Sequence, residues 1–257
     1  MNLPSKVAQH ALYAGTSGWA YPTWKPDFYP ANLPAAKFLE HYASRLNTVE
    51  VNYTFRKLAT AAQLDKWLAA TPPDFRFSFK APQSITHIRR LRDCGDELGK
   101  FIESLRPVVK AGKQAAVLFQ FPPNFRAGSA GKDKQSNQQA FTDFLKDAGK
   151  LLASEDWRAA VEFRDVSWFT ETTYEALREA KLALCEAESD ELATPKVRTA
   201  DYLYTRMRCS TYTESRLSEA FQQLETQSRE RPVFVYFMHE EEPHGPQRAE
   251  NLLKRII

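Results

Sequence analysis

The sequence predicts an α/β fold: a single-domain (β/α)8 barrel of the TIM type, spanning residues 1–257. Three observations predict it. Eight short apolar runs of strand length recur along the chain, helix-patterned stretches separate them, and the length suits one barrel. The competing arrangement, an open doubly wound sheet, would place a glycine-rich phosphate turn after its first strand. Here that position reads GTSGWAYPTW, with Gly15 and Gly18 but no GxGxxG.

In order, the runs are LYAGTSGW (12–19), TVEVNYTF (48–55), FRFSFKA (75–81), AAVLFQF (115–121), AAVEFRD (159–165), LALCEA (182–187), YLYTRMR (202–208) and VFVYFMH (233–239). Their Val, Phe, Tyr and Leu content is that of strands. Helices are expected between them. AAKFLEHYASRL puts Phe38, Leu39, Tyr42 and Leu46 on one stripe behind Pro34, and TAAQLDKWLAAT does the same with Leu64, Trp67 and Leu68 before Pro72-Pro73 stops it. ELGKFIESLRPVV, NQQAFTDFLKDAGKLL, TETTYEALREAK, RLSEAFQQLETQS and PQRAENLLKRII follow the same pattern. These stripes read as core packing. Residues 124–139 lack apolar periodicity until the helix begins and read as a long surface loop; 185–203 is a second irregular excursion.

Composition narrows the class. An apolar fraction of 43% and a charged fraction of 26% are those of a globular protein, and a net charge of +3 is too small to imply nucleic acid. Cys94, Cys185 and Cys209 are odd in number with no CxxC spacing, which argues against a disulfide framework or a zinc site and suits a reducing compartment. The N-terminal stretch lacks a signal-peptide core, and no apolar run reaches the roughly eighteen residues of a membrane span. A cytoplasmic protein without membrane contact is expected.

Strand alternation then selects a site. In VEVNYTF, Val49, Val51 and Tyr53 face one way and Glu50, Asn52 and Thr54 the other. The functional end of this architecture is the C-terminal end of the strands, on the inner face. The same parity turns Arg76, Ser78 and Lys80 inward, with Phe75, Phe77 and Phe79 toward the helices. It also selects Gln120, Glu162 and Arg164, then Tyr204, Arg206 and Arg208, and the strand end Met238-His239. Ionisable groups from five strands thus point at one mouth. A structural ion-pair network is one reading; a ligand pocket is the other, because a purely structural core is more cheaply built from Val, Ile and Leu.

The cations Lys80, Arg164, Arg206 and Arg208 outnumber Glu50 and Glu162, which favours a small anionic ligand. Aromatic residues are expected at the rim: Trp19, Tyr21 and Trp24 after the first strand, Phe55 after the second, Trp168 after the fifth. The leading function is an enzyme acting on a small anionic substrate, phosphorylated or sugar-containing. Glu50 and Glu162 are its candidate acid–base pair, and Lys80, Arg164 and Arg206 its anion clamp. Hydrolysis and isomerisation are equally open. The alternative is a non-catalytic binder of nucleotides or nucleic acid, using the aromatic rim and Arg89, Arg90 and Arg92; this partner is not favoured. A third reading gives FMHEEEPHG, with His239 and His244, a divalent metal shared with Glu50 or Glu162. No HxH or HExxH spacing supports it, and neither a metal nor a cofactor is predicted. His87 follows the third run beside Arg89 and Arg90 and is a weak general-base candidate. No GxSxG or P-loop occurs.

Six blocks, GTSGWAYPTWKPDFYP, FLEHYASRLNTVEVNYTFRKL, TPPDFRFSFKAPQSITH, LFQFPPNF, VEFRDVSWF and VYFMHEEEPHGPQRAENL, resemble the YecE-like family, domain of unknown function 72. They run from residue 15 almost to the C-terminus. The resemblance implies a (β/α)8 barrel. It implies no reaction, because the family has none established. It adds a candidate site made of the motif positions Ser17, Trp19, Tyr21, Trp24, Glu50, Asn52, Phe55, Lys80, His87, Gln120, Glu162, Arg164 and Trp168. The chain departs from the family pattern at Arg208-Cys209 and at Met238-His239, both at the expected mouth.

Overall fold

Nine short strands, all parallel to their neighbours, form one sheet in the computed structural model, which describes residues 12–130, 134–238 and 242–255. The strands are β1 (Leu12–Ser17), β2 (Thr48–Val51), β3 (Arg76–Lys80), β4 (Gln114–Gln120) and β5 (Arg158–Glu162). They continue with β6 (Ala183–Leu184), β7 (Glu186–Glu188), β8 (Leu203–Met207) and β9 (Val233–Phe237). Their order is β6-β5-β4-β3-β2-β1-β9-β8-β7. The two outermost strands are the two halves of the run expected at 182–187. Ala183 and Leu184 pair with β5, and Glu186–Glu188 pairs with β8. Only Cys185 separates them, its amide donating to the Val161 carbonyl at 2.8 Å. The sheet therefore curls round until one segment of chain touches both ends, giving the predicted barrel with its sixth position split in two.

Helices α1 (Phe38–Ala43), α2 (Ala61–Ala69), α3 (Gly95–Ser104), α4 (Arg106–Lys110), α5 (Asn137–Ser154), α6 (Glu171–Glu179), α7 (Glu214–Ser228) and α8 (His244–Leu253) surround it. Their starts are chemical. Thr60, Ser136, Thr170 and Thr213 each accept a backbone N–H of the first turn, and Thr60 completes a capping box with Gln63. The helix expected over ELGKFIESLRPVV is broken after Ser104, and the second piece carries Pro107 in its first turn, where a missing N–H costs nothing. No helix is present between β7 and β8, in agreement with the irregular excursion expected there. On that outer side a groove of about 980 Å³ runs between β7, β8 and α7, lined by Glu186, Thr205, Lys196, Arg216 and Arg231 among others. No helix among the described residues is long and apolar enough to cross a membrane.

Alternation sorts the side chains as the parity predicts. Val49, Val51, Phe77, Phe79, Val117, Phe119, Val161 and Phe163 belong to the large core between sheet and helices. Ala116, Leu118, Ala160, Cys185, Tyr204 and Tyr236 form a separate buried cluster inside the barrel. Inside, the register places Ser17 level with Glu50, and Glu50 level with Ser78. Gln120 is level with Glu162, and Arg206 with Tyr236. The interior thus changes character along its length, from small and aromatic residues to charge at the C-terminal strand ends.

Candidate active site

The second strand is shorter than the run that predicts it. It ends at Val51, and Tyr53–Phe55 turns into a single 3-10 turn. The Thr54 hydroxyl holds that turn by donating to the carbonyls of Val51 at 3.2 Å and Lys80 at 2.7 Å. This brings Phe55 beside the end of β3, with the Lys80 ammonium 4.3 Å from its ring centroid. His87, in the π-helical turn Ser84–Ile88, packs edge-on against the same ring at 4.9 Å.

Two fully buried carboxylates sit at the strand ends. Glu50 accepts from the Ser17 hydroxyl at 2.9 Å, from the Tyr204 hydroxyl at 2.7 Å and from Arg206 Nη2 at 2.9 Å. Glu162 accepts from Gln120 at 2.8 Å, Arg208 Nη1 at 3.1 Å and Arg164 Nε at 3.2 Å, and from Arg206 Nη1. Arg206 is buried and bridges the two acids. Below them Tyr236 bonds to Ser78 at 2.7 Å and Thr48 at 2.9 Å, closing the polar layer.

The electrostatics follow from that wiring. Burial would raise the Glu162 carboxyl, but Arg206, Arg208 and Arg164 overcome it and hold it down at about 2. Burial pushes the Tyr204 hydroxyl well up, with Glu50 adding to the shift. Tyr21, whose hydroxyl donates to the Ser17 carbonyl, rises to about 12 through burial and then Glu50. Burial, and then Arg206, lower the Lys80 ammonium to about 8. Burial also lowers His87, helped by Lys80, Arg164 and Arg90, which favours its neutral imidazole.

Most of the predicted residues converge. Ser17, Glu50, Gln120, Glu162, Arg164, Arg206 and Arg208 are one hydrogen-bonded network. Lys80, Phe55 and His87 form a second cluster beside it. Asn52 follows β2 with its buried Oδ1 unpartnered, as are the buried Nε atoms of Arg206 and Arg208. Trp19 and Tyr21 stay partly exposed after β1, Trp19 edge-on to Trp67.

Two rim assignments need correction. Trp24 and Trp168 are fully buried and are not at the rim. Trp24 packs against Phe28 and Tyr29. Trp168 stacks on Phe163 and Phe125, its indole N–H donating to the Phe125 carbonyl. Both belong to the large core between sheet and helices. Among the described residues Lys80 pairs with neither carboxylate, and Arg208 joins Arg164 and Arg206 on Glu162.

His239 lies outside the described residues, as do Glu240 and Glu241. Among the described residues no three His, Cys, Asp or Glu side chains gather as a metal-binding group. Arg89, Arg90 and Arg92, named for nucleic acid, are occupied within the protein: Arg89 pairs with Glu97, Arg90 bonds Asn124, and Arg92 bonds Asn137 and the Gln135 carbonyl. Sequence reasoning missed the part Tyr204 plays. Its place on the Arg206 face was legible, but a tyrosine inside a barrel reads as filling until its hydroxyl finds a carboxylate.

Fold and site together define a (β/α)8 barrel with a charged network at the C-terminal ends of its strands. The chain belongs to the family described as protein of unknown function DUF72, whose model matches residues 13–257. It is 32% identical over 168 residues to the UPF0759 protein YunF of Bacillus subtilis, an alignment covering 64% of this chain and 54% of that protein. The chain thus spans about half the length of that relative. A DUF72 family protein of Thermotoga maritima has a crystal structure matching with a TM-score of 0.80 at 26% identity, over 96% of this chain and 99% of that one. D-psicose 3-epimerase of Clostridium cellulolyticum shares the barrel fold at a TM-score of 0.58 and 9% identity, over 95% and 97% of the two chains.

Proposed function

We propose that this protein is an enzyme acting on a small anionic substrate, held at the barrel mouth by Lys80, Arg164 and Arg208. One observation carries the reading. Among the described residues the Lys80 ammonium has no hydrogen bond or ion pair, although both buried carboxylates of the network are supplied with donors from elsewhere. Arg164 and Arg208 each give Glu162 a single nitrogen and keep part of their side chains exposed. Four cations face two carboxylates, so the mouth retains positive charge and spare donors, which is what an anion requires. Shifted groups such as Lys80 and His87 at the strand ends support a catalytic rather than a purely structural mouth.

Glu50 and Glu162 fit an orienting role better than the acid–base pair expected from parity. The Glu162 carboxyl, held near 2, is a weak base and has almost no proton to give at neutral pH, and Glu50 is committed to Ser17, Tyr204 and Arg206 as donors. Their place in the reading is to hold the arginines and leave Lys80 free. The nucleic-acid alternative loses its three arginines to internal partners, so the small anion is retained.

The test is calorimetric titration with sulfate. Binding is expected in the unaltered protein, weakened by about 1.5–3 kcal/mol in Lys80→Met and in Arg164→Gln. Arg229→Gln, exposed just past the C-terminus of α7, is the control that leaves it unchanged. Absence of sulfate binding, or equal affinity in all four proteins, overturns the proposal.

A further inference from the structure

We infer that Lys80 is a covalent nucleophile, its ε-amine condensing with the carbonyl carbon of an anion-bearing aldehyde or ketone to form an imine at the barrel mouth. The inference rests on the anion site proposed above and adds a carbonyl group to what that site takes.

A second lysine in the same protein shows what a structural one looks like here. Lys113 is buried, and its ammonium donates to the Leu68 carbonyl at 2.9 Å, the Thr71 carbonyl at 2.7 Å and the Thr71 hydroxyl at 3.0 Å. An ammonium has three donors, and Lys113 places all of them. Lys80 places none among the described residues, and its nitrogen rests over the face of Phe55. An aromatic face holds a lysine weakly and leaves its nitrogen accessible, whereas three hydrogen bonds would lock it away.

The surroundings favour the reactive form. Glu50 of β2, Glu162 of β5, Arg164 just past the end of β5, and Arg206 of β8 face Lys80, with His87 beyond the Phe55 ring. The acids are committed to other donors, so burial and the guanidinium groups set the balance toward the neutral amine. With the ammonium lowered to about 8, roughly 10% is neutral at pH 7, against about 0.03% for an ordinary lysine. Desolvation together with a neighbouring cation is an established way to make a lysine nucleophilic.

The chemistry balances without an oxidant or reductant. The amine lone pair attacks the carbonyl carbon, and the carbonyl π pair moves to oxygen, which takes up the proton lost from nitrogen. The carbinolamine then expels that oxygen as water with a second proton, leaving a C=N bond to Lys80. Protonated, this imine draws electrons from bonds at the adjacent carbon, the step on which isomerisation and carbon–carbon cleavage depend. Arg164 and Arg208 would hold the anionic end of the substrate while Lys80 holds the carbonyl end.

The experiment uses pyridoxal 5′-phosphate as an aldehyde that carries its own anion, trapped on the intact protein with borohydride and located by peptide mass spectrometry. One adduct at Lys80 is expected, formed at least tenfold faster than at any other lysine, slowed by sulfate, and half-maximal in rate near pH 8. Lys80→Arg keeps the charge and should retain sulfate binding while losing the adduct. Labelling spread over surface lysines, unchanged in Lys80→Arg, overturns the inference. If sulfate binds but Lys80 is not trapped, the anion site stands and the nucleophile falls; if neither occurs, both fall.

Discussion

The Tyr204 hydroxyl, on β8, donates to Glu50 Oε2, on β2, across 2.7 Å. Strands β1 and β9 lie between these two in the sheet, so the bond is a chord across the barrel rather than a rung of its wall. Tyr204→Phe keeps the ring and removes the chord. The expected loss is about 1.5–3 kcal/mol, the usual worth of a hydrogen bond to a charged group. Urea unfolding reads it as a lower midpoint; an unchanged midpoint would mean that Glu50 does not depend on this donor.

Arg206 makes the larger claim on stability. It bridges Glu50 and Glu162, and Arg206→Met leaves two buried carboxylates short of their shared cation. A loss of about 3–5 kcal/mol is expected, above that of Tyr204→Phe. Adding Glu162→Gln to Arg206→Met should recover part of the loss, because one stranded charge is gone. Thermal melts of the single and double variants check this, and strict additivity would argue against the coupling.

Acid should undo the same network. The Glu162 carboxyl is held near 2, below its ordinary value of 4.5, so its contribution is complete above about 4.5. As pH falls from there toward 2 the unfolded chain takes up the proton first, and stability drops. Glu162→Gln is less stable at neutral pH but should show a flatter decline between pH 5 and 3. Parallel declines in melting temperature would count against this wiring.

Lys80 works in the opposite direction. Its ammonium is lowered from 10.5 to about 8, so between these values the unfolded chain binds more protons than the folded one. The contribution of Lys80 to stability therefore improves as pH rises through that window, and Lys80→Met abolishes the improvement. Sulfate, whose own charge is constant there, needs the ammonium, so its affinity should fall as pH rises through 8. Titrations at pH 7 and 9 decide it, and equal affinities would remove Lys80 from the anion site.

Alternation made much of this site legible. A period of two in VEVNYTF, RFSFK, VEFRD and YTRMR was enough to send Glu50, Lys80, Glu162 and Arg206 to one end of one interior. Pairing partners were harder to read, since which arginine meets which acid depends on strand stagger and tilt. Lys80 illustrates this: on β3 it is level with Leu118, not with a carboxylate. Trp24 and Trp168 were misplaced because a ring after a strand end can lie over the mouth or tuck beneath the turn. Only the turn's path separates the two, and no sequence period encodes it. The split at Cys185 was equally hidden, as a six-residue apolar run does not announce that it changes neighbours halfway.

That change of neighbours makes the barrel a rolled sheet fastened by a short clasp. Two residues of β6 grip one edge and three of β7 the other, while β1 and β9 are joined over five registered pairs. A cylinder of this kind does not open evenly around its circumference. It unrolls at the clasp, so amide hydrogens of residues 183–188 should exchange with solvent well before those of β1 and β9. The strand facing this clasp from one side is β8, which carries Tyr204 and Arg206. Loosening there would slacken the cross-barrel chords from one end, coupling the breathing of the seam to the charge arrangement at the mouth.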